Sequence, residues 1–98
     1  MSKAIRHEVH GNRGMFFIES DGARIAEMTY MKKGASRIVI DHTEVQPSLR
    51  GQGIARRLVD AAVAWARQNN VKIAATCPYV IARFAGDRSL DDVSGWRN

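Results

Sequence analysis

A single cysteine among 98 residues leaves no internal disulfide and no cysteine-paired zinc site. A lone thiol suits a reducing compartment, so the composition predicts a cytoplasmic protein. Long hydrophobic runs are missing as well. None approaches the ~18–20 apolar residues of a membrane span. The opening residues, Met1-Ser2-Lys3-Ala4-Ile5-Arg6-His7-Glu8, hold no apolar stretch of the kind that marks a secretory signal. The expectation is therefore a protein with no membrane partner. Prolines number two, and no repeat or low-complexity tract interrupts the chain. With 45% hydrophobic and 26% charged residues, neither a disordered nor a collagen-like chain is expected. The length fits one domain, residues 1–98. A domain this small has little surface to spare for long loops.

Negative charge is also in deficit. Fifteen Lys and Arg against ten Asp and Glu give a net charge of +5. That excess suits either nucleic acid or a small anion carrying phosphates. No run of five like charges is present and aromatics reach only 7%, which argues against a nucleic-acid surface. The one local cluster of base is Arg50, Arg56 and Arg57.

The first half of the chain reads as strands. Ile5–His10, Met15–Glu19, Ala23–Met31 and Arg37–Val45 are apolar or β-branched runs separated by turn signals. Asp21-Gly22 is the strongest of these signals, since a tight hairpin needs positive φ. The second half changes period. Ile54, Leu58, Ala61, Ala62 and Trp65 fall on one helical face, with Arg56, Arg57, Asp60 and Arg67 on the other. Asn69-Asn70 suits a left-handed helix end. Val71–Thr76 reads as a short strand. Pro78 then opens a short helix over Tyr79–Ala85, with a further helical turn near Leu90–Val93. The fold class expected is α/β (α+β): an antiparallel meander of four strands, a helix, a parallel strand and a short C-terminal helix around one mixed sheet.

The joint between the fourth strand and the long helix carries the chemistry. It reads Val45-Gln46-Pro47-Ser48-Leu49-Arg50-Gly51-Gln52-Gly53-Ile54-Ala55-Arg56-Arg57. Gly51 and Gly53 allow close backbone approach, and the first N–H groups of a helix have no internal partner. With the positive end of the helix dipole they make an anion site suited to phosphate. The spacing is neither a Walker loop nor a dinucleotide fingerprint.

Arg50-Gly51-Gln52-Gly53-Ile54-Ala55 resembles the Gln/Arg-x-x-Gly-x-Gly/Ala signature of the GNAT-type N-acetyltransferases. With Asp41-His42-Thr43-Glu44-Val45 before it and Cys77-Pro78-Tyr79-Val80 after it, the chain resembles the minimal single-domain, YidJ-like members from Phe16 to Phe84. It departs from their pattern downstream. Arg83-Phe84-Ala85-Gly86-Asp87-Arg88-Ser89-Leu90 stands where they carry an aromatic and then an Arg-His-Pro-Glu-Tyr-like stretch. The resemblance implies that Val45, Arg50, Gly51, Gln52, Gly53, Ile54, Ala55 and Arg56 hold acetyl-coenzyme A, with the pyrophosphate on backbone N–H groups. It also implies transfer of the acetyl group to an amine, which this sequence leaves unidentified.

Amine acetylation needs a base for the nitrogen and a donor for the developing oxyanion. His42 and Glu44 are the candidate bases. On a regular strand they would share one face with Ile38 and Ile40, leaving Val39, Thr43 and Val45 on the other. The fold that the resemblance implies makes the backbone N–H near Val45 the candidate oxyanion donor. Cys77, at the start of a helix, is either an acyl acceptor or a small plug lining the acetyl pocket. No metal site is expected. His7 and His10, three apart on a strand, face opposite ways. Two other readings stand beside acetyl transfer: a coenzyme A-binding module or sensor with little catalysis, and a small basic nucleic-acid binder.

Overall fold

A computed structural model of the chain describes residues 4–96; Met1 to Lys3 and the last two residues of the tail, Arg97 and Asn98, lie outside it. Five strands form one sheet: β1 (Arg6–His10), β2 (Arg13–Ser20), β3 (Ala23–Lys32), β4 (Arg37–Val45) and β5 (Lys72–Ala75). They lie in sequence order, antiparallel from β1 to β4 and parallel between β4 and β5. Helix α1 (Ile54–Asn69) makes the crossover and α2 (Pro78–Ala85) follows β5. This is the mixed sheet expected. No helix among the described residues is long and apolar enough to cross a membrane.

Local chemistry sets the joints. Asp21 and Gly22 both take positive φ, 53° and 80°, the geometry of a two-residue hairpin. Asn70 ends α1 in the left-handed region (φ 56°, ψ 45°), as its sequence position predicts. The Val71 N–H then bonds to the Ala66 carbonyl, which holds Val71 to the helix end and starts β5 one residue later than expected. Gly86 also ends its helix, though at φ −97° rather than in the left-handed region.

Both helices cover the same face of the sheet. Phe16, Ile18, Met28, Tyr30, Ile40 and Ile73 meet Leu58, Val59, Ala62 and Val63 of α1 and Val80 and Phe84 of α2 in a single core. Trp65 joins its edge, as the helical phase predicts. There it packs with Phe16, Tyr30 and His7, and His7 stacks on Phe16 at 4.0 Å. Burial first, and then the charge of Lys32, hold the His7 ring below its ordinary pKa. His10 points the other way and meets Glu8. Among the described residues the second sheet face carries no helix. Phe17, fully buried on it, lies under the guanidinium of Arg24 at 4.4 Å and that of Arg6 at 5.7 Å.

Tyr30 has no exposed surface, and its hydroxyl meets the His7 Nε2 at 2.6 Å. A Cβ on Gly14, its partner across the strands, would lie 2.1 Å from Tyr30 Cζ. Gly14→Ala is expected to destabilise the fold by about 2–3 kcal/mol through overpacking. Thermal unfolding checks it, and a midpoint lowered by roughly 10–20 °C is the expected reading.

The register breaks once where it matters. Tyr30 pairs with Ile40 but Thr29 pairs with His42, so Asp41 is an extra residue on β4. This bulge corrects the expected facing. His42 and Glu44 do share a face, opposite Thr29 and Glu27, but it is the helix-free face. Ile38 and Ile40 point into the core instead, and Thr43 and Val45, opposite Met28 and Ala26, follow them. The strict alternation assumed from the sequence fails because a bulge turns two successive side chains to one side.

Candidate functional site

The pairing of β4 with β5 runs from Arg37–Lys72 to Ile40–Ala75 and stops there. Beyond it β4 continues to Val45, while the Thr76 and Cys77 N–H groups both turn back onto the Ile40 carbonyl (2.9 and 3.3 Å). β5 ends there as the chain turns towards α2, and a wedge is left beside the remaining length of β4. Gln46 N–H reaches the Ile25 carbonyl on the β3 side. Alternation along the strand therefore turns the Val45 N–H away from β3, towards the wedge.

Between β4 and α1 the chain makes one 3-10 turn, Pro47–Leu49, and then the glycine loop. Gly51 and Gly53 sit at φ 84° and 76°, and nothing lies within 4 Å of where a Cβ would stand on either. Gly53 is the N-cap of α1 and supplies no side-chain cap. The first turn of α1 holds no acidic residue but does hold Arg56 and Arg57. Base in a first turn is unfavourable against the helix dipole unless an anion meets it. Three features thus coincide: free helix N–H groups, a glycine cradle open above, and excess positive charge. A pyrophosphate fits all three.

These residues line one cleft of about 290 Å³, formed by Val45, Leu49, Arg50, Gly51, Gly53, Ile54, Ala55, Arg56 and Tyr79. Seven of the eight predicted coenzyme residues are on it; Gln52 sits in the same loop but outside the lining. The Arg50 Nε donates to the Val45 carbonyl at 3.3 Å, so this arginine braces the loop against β4 as well as adding charge. Tyr79 was missed in the sequence reading. It is exposed on the first turn of α2, and its one signal in the sequence was its place next to a helix-opening proline.

Cys77 caps α2 and closes the narrow end of the wedge. It is 7% exposed, and its thiol donates to Thr43 Oγ1 at 3.5 Å. His42 and Glu44 lie on the other face of the same strand, 3.4 Å from each other and largely exposed. The three candidate catalytic residues are therefore not one cluster. Cys77 shares the core side with the loop, and the His42–Glu44 pair looks out from the helix-free side of the wedge. Glu27, also missed in the sequence, stands directly opposite Glu44. Ligand atoms of Glu27, His42 and Glu44 lie within 4.8 Å of one another. Like charges facing across a ladder cost stability. Arg24, 3.8 Å from Glu27, offsets part of that charge.

The divergent tail has a structural part. Arg67 holds Asp92 through two bonds (2.9 and 3.0 Å), and Gly95 N–H meets the Ile73 carbonyl on the free edge of β5. Trp96 then packs on Phe84 at 5.0 Å, so the tail caps the sheet edge.

Residues 15–93 match the family model described as GCN5-related N-acetyl-transferase. Protein NATD1 of Xenopus tropicalis is 32% identical over 80 residues, which is 81% of this chain and 73% of that protein. The solution structure of a GCN5-like protein from Staphylococcus aureus superposes with a TM-score of 0.71 at 35% identity, covering 96% of this chain and 90% of that one. An aminoglycoside N-acetyltransferase, AAC(6')-Iy in complex with CoA, shares the fold at a TM-score of 0.56 and 19% identity, over 83% of this chain and 68% of its own.

Proposed function

The chain belongs to the GCN5-related N-acetyltransferase family, and from that membership we propose that it binds acetyl-coenzyme A in the Val45–Tyr79 cleft and passes the acetyl group to an amine. As a member it is an acetyltransferase; the site and the acceptor are our reading. The observation that carries the reading is the open cradle over Gly51 and Gly53 at an uncapped, basic helix start. Backbone N–H groups of Gly53 to Arg56 would hold the pyrophosphate, with Arg50 and Arg56 adding charge at the rim. The thioester supplies an activated acetyl group. In the transfer the acceptor nitrogen bonds to the carbonyl carbon, the C–S bond breaks, and the amine proton passes to a base.

In this reading the two substrates approach from opposite faces of the sheet. The coenzyme enters from the α1 side. The acceptor enters from the helix-free side, where Glu27 and Glu44 draw an ammonium group and His42 takes its proton. Cys77 lines the acetyl pocket in this reading rather than becoming acylated. Coverage of nine-tenths or more of both chains by the Staphylococcus aureus protein supports placing this one among the minimal, single-domain members. We place it in the cytoplasm on its lone thiol.

Titration with acetyl-coenzyme A while following the melting temperature tests the reading. Ligand at 100 times its Kd should stabilise by about 2.7 kcal/mol. Free coenzyme A should act similarly, and duplex DNA should not. No response to either coenzyme, with salt-sensitive DNA binding, would favour the nucleic-acid reading instead. Intact-mass measurement without an amine decides the part of Cys77. The expected mass is unchanged, and Cys77→Ala keeps most turnover; a stable gain of about 42 Da, absent from Cys77→Ser, would establish an acyl-enzyme.

A further inference from the structure

The C-terminal end of α1 is surrounded by positive charge that no described carboxylate neutralises. Lys32, Lys33 and Arg37 flank the β3–β4 turn, and Lys72 stands beside Arg37 where β4 pairs with β5. Glu19, Glu27, Asp41, Asp60 and Asp92 pair with other cations. Lys72 reaches the Asp92 carbonyl. Like charges side by side on a ladder cost stability. The helix end accounts for part of the cluster. Its macrodipole is worth about half a negative charge and acts within the last turn. Lys32, Lys33, Arg37 and Lys72 together exceed it severalfold.

These cations border a recess of about 240 Å³. It is lined by the buried Ile38 and Val71, by the half-buried Trp65 ring, and by Lys32, Arg37 and Asn69. Gly34 also lines it, and nothing lies within 4 Å of its Cβ direction. The turn above is fixed at both ends. The Lys33 N–H bonds to the Arg37 carbonyl at 2.9 Å, and the Lys72 N–H to the Ser36 carbonyl at 2.8 Å. The Asn69 side chain is held too, donating to the Trp65 carbonyl at 2.8 Å. The recess is separate from the coenzyme cleft. Ile54 at the start of α1 lines the cleft and Asn69 at its end lines the recess, roughly 22 Å apart at about 1.5 Å per residue.

Two cations beside an aromatic and apolar lining suit an anion that carries an apolar body. The volume is below the ~300–1,000 Å³ of sites for drug-sized ligands, which confines that body to about one small ring. A nucleic-acid track needs aromatic platforms in series, and Trp65 is the only aromatic lining the recess among the described residues. We propose that the recess is a second ligand site, for a small organic carboxylate or phosphate. The anion lies between Lys32 and Arg37, and its apolar part meets Trp65, Ile38 and Val71. The inference stands apart from the reading of acetyl transfer.

Phenyl phosphate, benzoate, inorganic phosphate and neutral benzyl alcohol are the probes, titrated into isotopically labelled protein and followed by NMR. The chain has two tryptophans, so Trp96→Phe identifies the Trp65 indole N–H signal. Phenyl phosphate, benzoate or both should shift that signal and the Gly34 and Ala35 amides, and the tighter of the two identifies the anionic group. Inorganic phosphate should bind at least severalfold more weakly than the tighter aromatic anion, and benzyl alcohol more weakly still. Lys32→Gln combined with Arg37→Gln should weaken that binding about 10-fold or more. The Tm of this double variant should not fall, because like charges are removed. Raising salt from about 50 to about 300 mM should weaken binding severalfold. The shifts should persist with coenzyme A in excess, which separates the recess from the cleft. No shift at Trp65 with either aromatic anion at about 20 mM overturns the proposal. So does loss of the shift under coenzyme A, benzyl alcohol binding as tightly as the anions, or undiminished binding in the folded double variant. Single-stranded DNA moving the same signals at far lower concentration would assign the surface to nucleic acid and overturn it as well.

Discussion

Gly53→Val is expected to weaken coenzyme A binding roughly 100–1,000-fold, while the protein still folds. Two effects combine and they can be separated. A β-branched residue at φ 76° is strained, which costs about 1–3 kcal/mol of stability. The branched Cβ also fills the open space from which the helix N–H groups meet the phosphates. Losing two charge-assisted hydrogen bonds at about 1.5–3 kcal/mol each accounts for the binding loss. Gly34 is a matched control. It has φ 75°, nothing lies within 4 Å of its Cβ direction, and it sits in the β3–β4 turn, away from the cleft. Gly34→Val should show a similar fall in melting temperature and unchanged coenzyme affinity. Arg50→Ala and Arg56→Ala should weaken binding only about 10-fold, since they add charge at an exposed rim. Calorimetric titration of the four variants checks the series. Equal affinity of the Gly53→Val and Gly34→Val proteins would remove the loop from the binding site.

Much of this was legible before the structure because the signals were local. Asp21-Gly22, Asn70 and Pro78 act through backbone dihedrals that each residue sets for itself, and all three ended or opened an element where expected. The glycine loop was legible for the same reason. What escaped depends on partners distant in sequence. The bulge at Asp41 arises from the mismatch between β3 and β4, and nothing within Arg37–Val45 announces it. Because the bulge takes Asp41 out of the ladder, His42 and Glu44 lie opposite Ile38 and Ile40 in facing, where strict alternation would have put all four on one side. Glu27 escaped because its significance lies in facing Glu44 seventeen positions later. Tyr79 escaped because its neighbours Gly51 and Arg56 come from another element.

The base is the second large effect. His42→Ala is expected to reduce kcat about 100–10,000-fold, the range for removing a general base, and to leave the KM for acetyl-coenzyme A within about twofold. The split follows from geometry, because the imidazole is on the helix-free face and the coenzyme cleft opens on the α1 side. In the chemical step Glu44 acts through the ring, 3.4 Å from Nε2, beside its part in drawing the acceptor. Glu44→Gln should therefore cost less, on the order of 10-fold in kcat, with part of its effect appearing as weaker acceptor binding. Groups that act as one unit are not additive. The double variant should thus be no slower than His42→Ala alone. A folded His42→Ala protein with wild-type kcat, or a double variant slower by the product of the two single losses, would give the proton to another acceptor and leave His42 as a surface ring beside the cleft.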